Sequence, residues 1–473
     1  MVYNSFLFIL LFPLIFLFYY LIPARYPKVR NLYLLVVSYA LYISWKPVYA
    51  LILLGVTGVT YYSAIKIEQS HIQKKRKRIL TLGVFLALLP LAFFKYFNFI
   101  NEVLVDAMSA FGLHIELLGL NWAIPIGISF FTFQALGYVW DVYYGKIDAE
   151  RDFSIYALFI SFFPSILSGP INKASLVIPQ IKSLRTYFDY EKAVEGLKLV
   201  LWGMFMKVVV ADRIGLYVDT VFGHYMGYSS LSCMMACFLY SIQIYADFGG
   251  YSLMAIGVGK VLGFELTENF KRPLFAFSVT DFWHRWHISL STWLKDYIYI
   301  PLGGSRCSKT RNYWNIMVTF LISGIWHGAN WTFILWGMIH GLFQVVEKAL
   351  GQNKRQYDGP GKMVKIFITL FLITFAWIIF RMPTISDAFG VIAHIIEWQN
   401  QKGFFWPSYN NYFITFGVTI LLLKDFRDEF FPKKFPVMEN NSLIVRWSTY
   451  LMLMTIILLN GVLGSDQFIY SNF

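Results

Sequence analysis

Charge is what this sequence has least of. Only 14% of its 473 residues are Asp, Glu, Lys or Arg, against about 25% in an ordinary soluble domain. With 57% hydrophobic residues and a mean hydropathy of +0.55, that shortage excludes a soluble globular protein. It indicates an all-α polytopic membrane protein. Cysteine is nearly absent too. Cys233 and Cys237 lie four apart on one helical face and Cys307 lies in a loop segment. Neither a disulfide framework nor a zinc pattern can be drawn through them, and they read as small apolar filler. There is no Gly-x-Ser-x-Gly elbow and no Cys beside a His, so a covalent hydrolase is not indicated. No long soluble domain, low-complexity linker or fixed-period repeat is visible, and the missing repeat counts against an inverted-repeat transporter.

What is present is hydrocarbon. Apolar stretches recur at Tyr3–Ile22, Pro47–Ile65, Ile79–Phe94, Val364–Phe380 and Leu443–Leu463, and allowing for interrupted segments they imply roughly ten to twelve spans. The first stretch has no preceding basic residue and no small-residue cleavage site. It is expected to be a retained span with its N-terminus outside rather than a signal peptide. The net charge of +13 collects in segments such as Lys66–Arg78, which read as a cytoplasmic anchor and not as a nucleic-acid site. Spans at Tyr3–Ile22, Asn31–Trp45 and Pro47–Ile65 put that segment on the same side as Arg25, Lys28 and Arg30. The loop near Glu102, Asp106, His114 and Glu116 then falls outside.

The middle of the chain, about Trp122 to Gly341, mixes apolar runs with Pro, Gly, His, Asp and Arg. Irregular backbone at membrane depth survives only when buried in protein or lining a cavity. The expected organisation is one membrane domain over 1–473, with scaffold helices in 1–121 and 342–473 and a catalytic core over about 122–341.

His327, in Ser323-Gly324-Ile325-Trp326-His327-Gly328-Ala329-Asn330-Trp331, is the most informative residue. An ionisable imidazole in such surroundings is costly and reads as functional, and its ordinary pKa of ~6.5 lets it move protons near neutrality. Gly324 with Gly328, and Gly337 with Gly341, form small-xxx-small pairs suited to close helix packing. His284, His287, His327 and His340, half of the eight histidines, fall in one short stretch.

The segment Asp281–Trp293 reads as one helix, with Thr280 as its cap and Asp281 in its first turn. At 100° per residue, His284, His287 and Ser291 would share a face within about 60°, beside an apolar stripe of Trp286, Leu290 and Trp293. Such a helix lines a pocket or lies at the interface. His284 and His287, near Asp281, could chelate, but no carboxylate or thiolate accompanies His327, so no metal site is expected. Asp247, in Gln243-Ile244-Tyr245-Ala246-Asp247-Phe248-Gly249-Gly250-Tyr251, needs a partner, in either a tunnel-lining or a structural role. Together these residues permit general-base work in a dry site, with Asn330 or indole N–H groups as donors. That suits acyl transfer, and a proton-coupled transporter remains open.

The runs Trp326-His327-Gly328 and Asp281-Phe282-Trp283-His284-Arg285-Trp286-His287-Ile288-Ser289-Leu290-Ser291-Thr292-Trp293 resemble the membrane-bound O-acyltransferase family. So do Pro125–Gln134 with Asp141-Val142-Tyr143, Ser168–Ile171, Tyr297–Arg306 and Phe468-Ile469-Tyr470. Within the family, the resemblance is to the branch that O-acetylates alginate, other bacterial polysaccharides and peptidoglycan.

The resemblance implies a ring of tilted and re-entrant helices around a central tunnel, multi-pass in the bacterial inner membrane. It implies His327 as the catalytic histidine and His287 as a second polar position. Asp281, His284, Arg285, Trp326, Asn330, Asp247 and Gln243 are then candidate substrate or tunnel contacts. The implied donor is cytosolic acetyl-CoA as cosubstrate, with no tightly bound cofactor. The implied acceptor is an extracytoplasmic glycan, reached with a separate periplasmic SGNH-type protein. Transfer of D-alanyl or another acyl group by the same fold is the alternative. The sequence departs from the family pattern at His284, where Arg is expected, and at Gly249-Gly250-Tyr251-Ser252-Leu253, where Ser-Gly-Tyr-Ser-Asp is usual. The second departure puts in doubt any acceptor or tunnel contact carried over to Leu253.

Overall fold

The computed structural model describes residues 3, 5–113, 119, 122–166, 169–183, 188–352, 359–398, 404, 410–432, 434 and 436–462. Every regular element among them is helical. His114, Glu116, Ser168 and the Phe468–Tyr470 motif lie outside the described residues. The chain forms two compact units, one mainly from residues 7–194 with 259–267, the other mainly from residues 195–258 and 268–473.

The first unit contains α1 (Phe6–Leu21), α2 (Pro27–Ile43), α3 (Pro47–Gln69), α4 (Gln73–Ala110), α5 (Ile128–Tyr143), α6 (Phe153–Ser161), α7 (Phe163–Ile166) and α8 (Ala174–Lys182). Pro27 and Pro47 open α2 and α3, where a missing N–H costs nothing. Asp152 caps α6, accepting from the N–H groups of Ser154 and Ile155. Gly127 precedes α5 with φ 73°, and a Cβ there would meet the Ile166 carbonyl oxygen at 2.1 Å, so only glycine fits.

The basic segment Lys66–Arg78 is not the loop expected from hydropathy. Lys66 lies in the last turn of α3, and α4 starts at Gln73. Glu102 and Asp106 are likewise helical, because α4 runs on to Ala110. Lys, Arg, Gln and Glu are good helix formers, so the helices outrun their apolar stretches.

The second unit contains α9 (Tyr190–Met204), a π-helical turn at Phe205–Ala211, α10 (Asp212–Gly223), α11 (Ser230–Val261), α12 (Val279–Arg285), α13 (Ile288–Leu294), a second π turn at Lys295–Tyr299, α14 (Lys309–His327), α15 (Trp331–Ala349), α16 (Gly359–Arg381), α17 (Ile385–Ile396), α18 (Asn410–Phe430) and α19 (Leu443–Asn460). Of the described helices, α3, α4, α11, α16 and α19 are long and apolar enough to cross a membrane. Roughly ten to twelve spans are expected from the sequence; beyond these five, the described residues add shorter apolar helices at Phe6–Leu21, Phe153–Ile166 and Ile385–Ile396.

The α14–α15 hairpin carries His327. Ser308 caps α14 by accepting from Arg311 N–H, and extended backbone at Gly328 ends it directly after His327. Asn330 then caps α15, accepting from Thr332 N–H at 2.9 Å. The small residues work across the hairpin. A Cβ on Gly324 would sit 2.3 Å from the Phe333 carbonyl oxygen and 3.2 Å from Gly337 Cα, and one on Gly337 would sit 2.4 Å from the Phe320 carbonyl oxygen. Gly324→Ala is therefore expected to force the helices apart and lower stability by about 1–3 kcal/mol, as overpacking does. A thermal melt of the purified variant in detergent reads this; an unchanged midpoint would show the helices are not in close contact.

Candidate active site

The run Asp281–Trp293 is two helices. The cap is Ser278, accepting from Asp281 N–H at 2.9 Å. Thr280, expected to be the cap, instead gives its N–H and hydroxyl to the Glu347 carboxylate at 2.9 and 2.8 Å, and Val279 N–H donates there at 2.6 Å. The chain then leaves helical geometry at Trp286 and His287, the latter left-handed with φ 43°. A segment upstream holds the break open. Lys271 N–H donates to the Arg285 carbonyl at 2.9 Å, and Ile288 N–H donates to the Asn269 carbonyl at 3.0 Å. Ser289 N–H and hydroxyl both donate to the Asn269 side-chain oxygen, at 3.2 and 2.9 Å. A non-glycine residue in this conformation costs roughly 1–3 kcal/mol and persists only where its surroundings over-determine it.

The break separates residues that one helix would have placed together. His284 is exposed, while His287 is 0% exposed. The expected apolar stripe holds, with Trp286, Leu290 and Trp293 all buried.

His287 turns inward and meets Phe248 with ring centroids 4.7 Å apart. Trp326 lies 5.8 Å from it, and His327 lies 4.9 Å from Trp326. His327, 2% exposed, packs edge-on against Trp336 at 4.9 Å and Phe380 at 5.4 Å. The structure thus brings the two expected histidines into one aromatic cluster with Trp326 between them. In such apolar surroundings hydrogen bonds and charge interactions are stronger than in water.

The other expected residues stand apart. Arg285 makes a bidentate pair with Glu429 at 2.8 and 3.1 Å and also binds Asp281. Arg272 donates to the same Glu429 at 3.1 Å. Glu347 at one end and Glu429 at the other therefore clamp α12. Asn330, besides capping α15, donates its amide to the Pro383 carbonyl at 2.9 Å, so both ends of its side chain are engaged at the turn. Gln243 and Asp247 sit one turn apart on α11, both buried. Asp247 pairs with Lys207 at 2.7 Å, and Lys207 also binds Asp212 at 2.6 Å, the lysine side chain being 0% exposed.

Sequence reasoning missed Lys207, Asn269, Glu347 and Glu429. Only Lys207 carries a readable signal, as a lone cation in the run Phe205-Met206-Lys207-Val208-Val209-Val210.

A pocket of about 270 Å³ opens beside the cluster. It is lined by Trp283, Phe320, Ser323 and Gln344, with His284, Lys295 and Lys348 supplying basic groups. Among the described residues no group of three or more His, Cys, Asp or Glu could hold a metal ion.

A buried imidazole pair held among aromatic rings, in a chain with several helices of membrane-crossing length, has the parts of an integral membrane enzyme that moves protons in a dry site. Residues 150–385 match the membrane-bound O-acyltransferase family. The chain is 38% identical to the probable alginate O-acetylase AlgI of Pseudomonas syringae over 84% of this chain and 76% of that protein. It is 35% identical to the peptidoglycan O-acetyltransferase of Helicobacter pylori over 84% and 80%. A more distant relative is the teichoic acid D-alanyltransferase of Bacillus subtilis, at 25% identity over 54% of this chain and 68% of that protein. The chain belongs to the membrane-bound O-acyltransferase family and is an O-acyltransferase of the multi-pass type.

Proposed function

We propose that this chain moves acetyl groups from cytosolic acetyl-CoA toward the hydroxyls of an extracytoplasmic polysaccharide, from the bacterial inner membrane, with a periplasmic SGNH-type protein completing delivery. The observation that carries the reading is His327, buried at the end of α14 with His287 across Trp326, in a chain whose relatives include an alginate O-acetylase and a peptidoglycan O-acetyltransferase. His327 accepts the proton of the acceptor hydroxyl as that oxygen attacks the thioester carbonyl. The tetrahedral oxyanion collapses, the C–S bond breaks, and the departing CoA thiolate takes the proton from the imidazolium. His287 orients the reacting group, and its strained backbone supports that positioning role.

The donor approaches through the basic pocket. Lys295, His284 and Lys348 suit the phosphates of CoA. Lys309 and Arg311 at the start of α14 and Lys348 at the end of α15 gather positive charge at this end of the hairpin, which supports a cytosolic orientation. Acetyl-CoA is a cosubstrate, and no resident cofactor is needed for this chemistry. The expected core of about 122–341 holds both histidines, Trp336 and His340, while Gln344, Lys348 and Phe380 join the site from beyond it.

The test is radiolabelled acetyl-CoA supplied outside proteoliposomes that hold the purified protein, with glycan and an SGNH-type partner inside. Release of free CoA with label appearing on the glycan is expected. A protein that neither binds nor consumes acetyl-CoA would overturn the reading. Consumption of a D-alanyl carrier in its place would favour the alternative, which the match to a teichoic acid D-alanyltransferase keeps in view.

A further inference from the structure

The second unit holds a cavity that the chemistry above does not use. It is a crevice of about 1030 Å³ between α11, α16, α17 and α18, at the upper end of the ~300–1,000 Å³ usual for small-molecule sites. Along α16 its lining recurs every three or four residues from Met363 to Ile378, so one helix face lines it over ~22 Å. Phe238 on α11, Leu423 on α18 and Ile395 on α17 stand around that face. Both α11 and α16 are long and apolar enough to cross a membrane, which puts the crevice in the hydrocarbon core. Phe367, Phe371 and Leu423 are exposed, so it opens sideways toward lipid. The other face of α16 serves the catalytic cluster. There Trp377 packs on Trp286 and Trp336, and Phe380 packs on His327.

The lining decides what kind of guest fits. Apart from Cys237, its polar side chains among the described residues are Thr374 and Thr419. Both hydroxyls are already engaged, Thr374 with the Ser241 hydroxyl at 2.9 Å and Thr419 with the Thr415 carbonyl at 2.7 Å. A sugar or an amide entering here would give up its hydrogen bonds to water without replacing them, whereas a hydrocarbon chain has none to lose.

Charge at one end narrows the choice. Phe275 and Phe426 line the crevice with ring centroids 6.2 Å apart. Phe430 packs on Phe275 at 6.0 Å, and the Lys362 ammonium lies over the Phe430 ring at 5.0 Å. Three cations gather on Glu429 at this end. Arg285 takes it bidentately at 2.8 and 3.1 Å, and Arg272 donates at 3.1 Å. Lys362 stands 3.5 Å away, longer than the ~2.7–3.2 Å of an N–H···O hydrogen bond. Its ammonium therefore keeps donors for a second anion. Because α16 follows α15 directly, Lys362 at its start lies on the side where α15 ends with Lys348, the side read above as cytosolic.

We propose that this crevice holds the acyl chains of an anionic phospholipid of the cytosolic leaflet, with the lipid phosphate on Lys362. Basic groups at the cytosolic end of a groove between membrane helices suit such head groups. Lipid binding here is independent of which acyl donor the chain uses.

The test is native mass spectrometry of the purified full-length protein, incubated in detergent with equal amounts of phosphatidylglycerol and phosphatidylethanolamine. Wild type is expected to retain one phospholipid per chain, with phosphatidylglycerol preferred. Lys362→Gln is expected to weaken phosphatidylglycerol binding about five-fold, the contribution of one lysine near an anionic head group, and to leave phosphatidylethanolamine unchanged. Leu423→Trp fills the crevice from an exposed position and is expected to abolish retention of both lipids. Thr419→Trp, one turn earlier on the same helix, replaces it if that variant does not fold. Wild type without a preference for phosphatidylglycerol, or the same preference in Lys362→Gln, would overturn the proposal. So would full retention in the tryptophan variant, or a wild-type chain that carries no lipid but a second copy of itself or another protein in its place.

Discussion

His327→Ala is expected to slow acyl transfer by about 10²–10⁴-fold, the usual contribution of a positioned general acid–base group. The measurement is CoA release in a single turnover, which separates chemistry from delivery of the product to the glycan. Packing complicates the comparison, because the ring lies against Trp326, Trp336 and Phe380 and alanine would leave a void. His327→Phe resolves this. It keeps an aromatic ring in the cluster and removes both nitrogens, so a structural histidine would tolerate it while a proton-transferring one would not. Activity near wild type in His327→Phe would remove His327 from the chemistry. His287→Ala is expected to lose less, since a positioning group works through the geometry of another.

Lys207→Met is expected to cost about 3–5 kcal/mol, because it strips the counter-charge from two buried carboxylates. That is a large share of the ~5–15 kcal/mol that typically separates folded from unfolded protein, so the variant should barely accumulate in membranes. Lys207 binds Asp212 and Asp247 at 2.6 and 2.7 Å with all three side chains nearly or wholly shielded. The triple change Lys207→Met, Asp212→Asn and Asp247→Asn removes every charge at once and is expected to recover much of the lost stability. Melting midpoints in detergent and the amount extracted per cell test both statements. A Lys207→Met protein that melts like wild type would mean that the carboxylates are compensated in another way.

Composition and motif carried the class, the family and the histidine pair. An apolar chain with few charges has few options, and His327 stands out wherever ionisable groups are rare. The local backbone was not legible. Periodicity gave a single helix over Asp281–Trp293, and the break at Trp286 and His287 depends on the Asn269 carbonyl accepting from Ile288 N–H and on Lys271 N–H donating to the Arg285 carbonyl, which sequence spacing does not encode. The same holds for Arg285 and Asn330. Each looked available to a substrate, and each is occupied by a residue far along the chain, Glu429 in one case and Pro383 in the other. The capping roles of Ser278 and Glu347 were hidden for a related reason. Thr280 is an equally good cap by type, and what decides is the position of a carboxylate 67 residues downstream.

The Lys207 triad also bears on how the protein is made. Lys207 and Asp212 emerge from the ribosome well before Asp247, which lies on α11. A lone lysine or aspartate at the centre of an inserting helix costs about 2.5–3.5 kcal/mol at the translocon. Lys207 and Asp212 neutralise each other within one segment, so it is Asp247 on α11 that arrives without a counter-charge of its own and gains from meeting Lys207 as it integrates. Integration of α11 should then depend on the segment before it, and Lys207→Met should leave α11 poorly inserted.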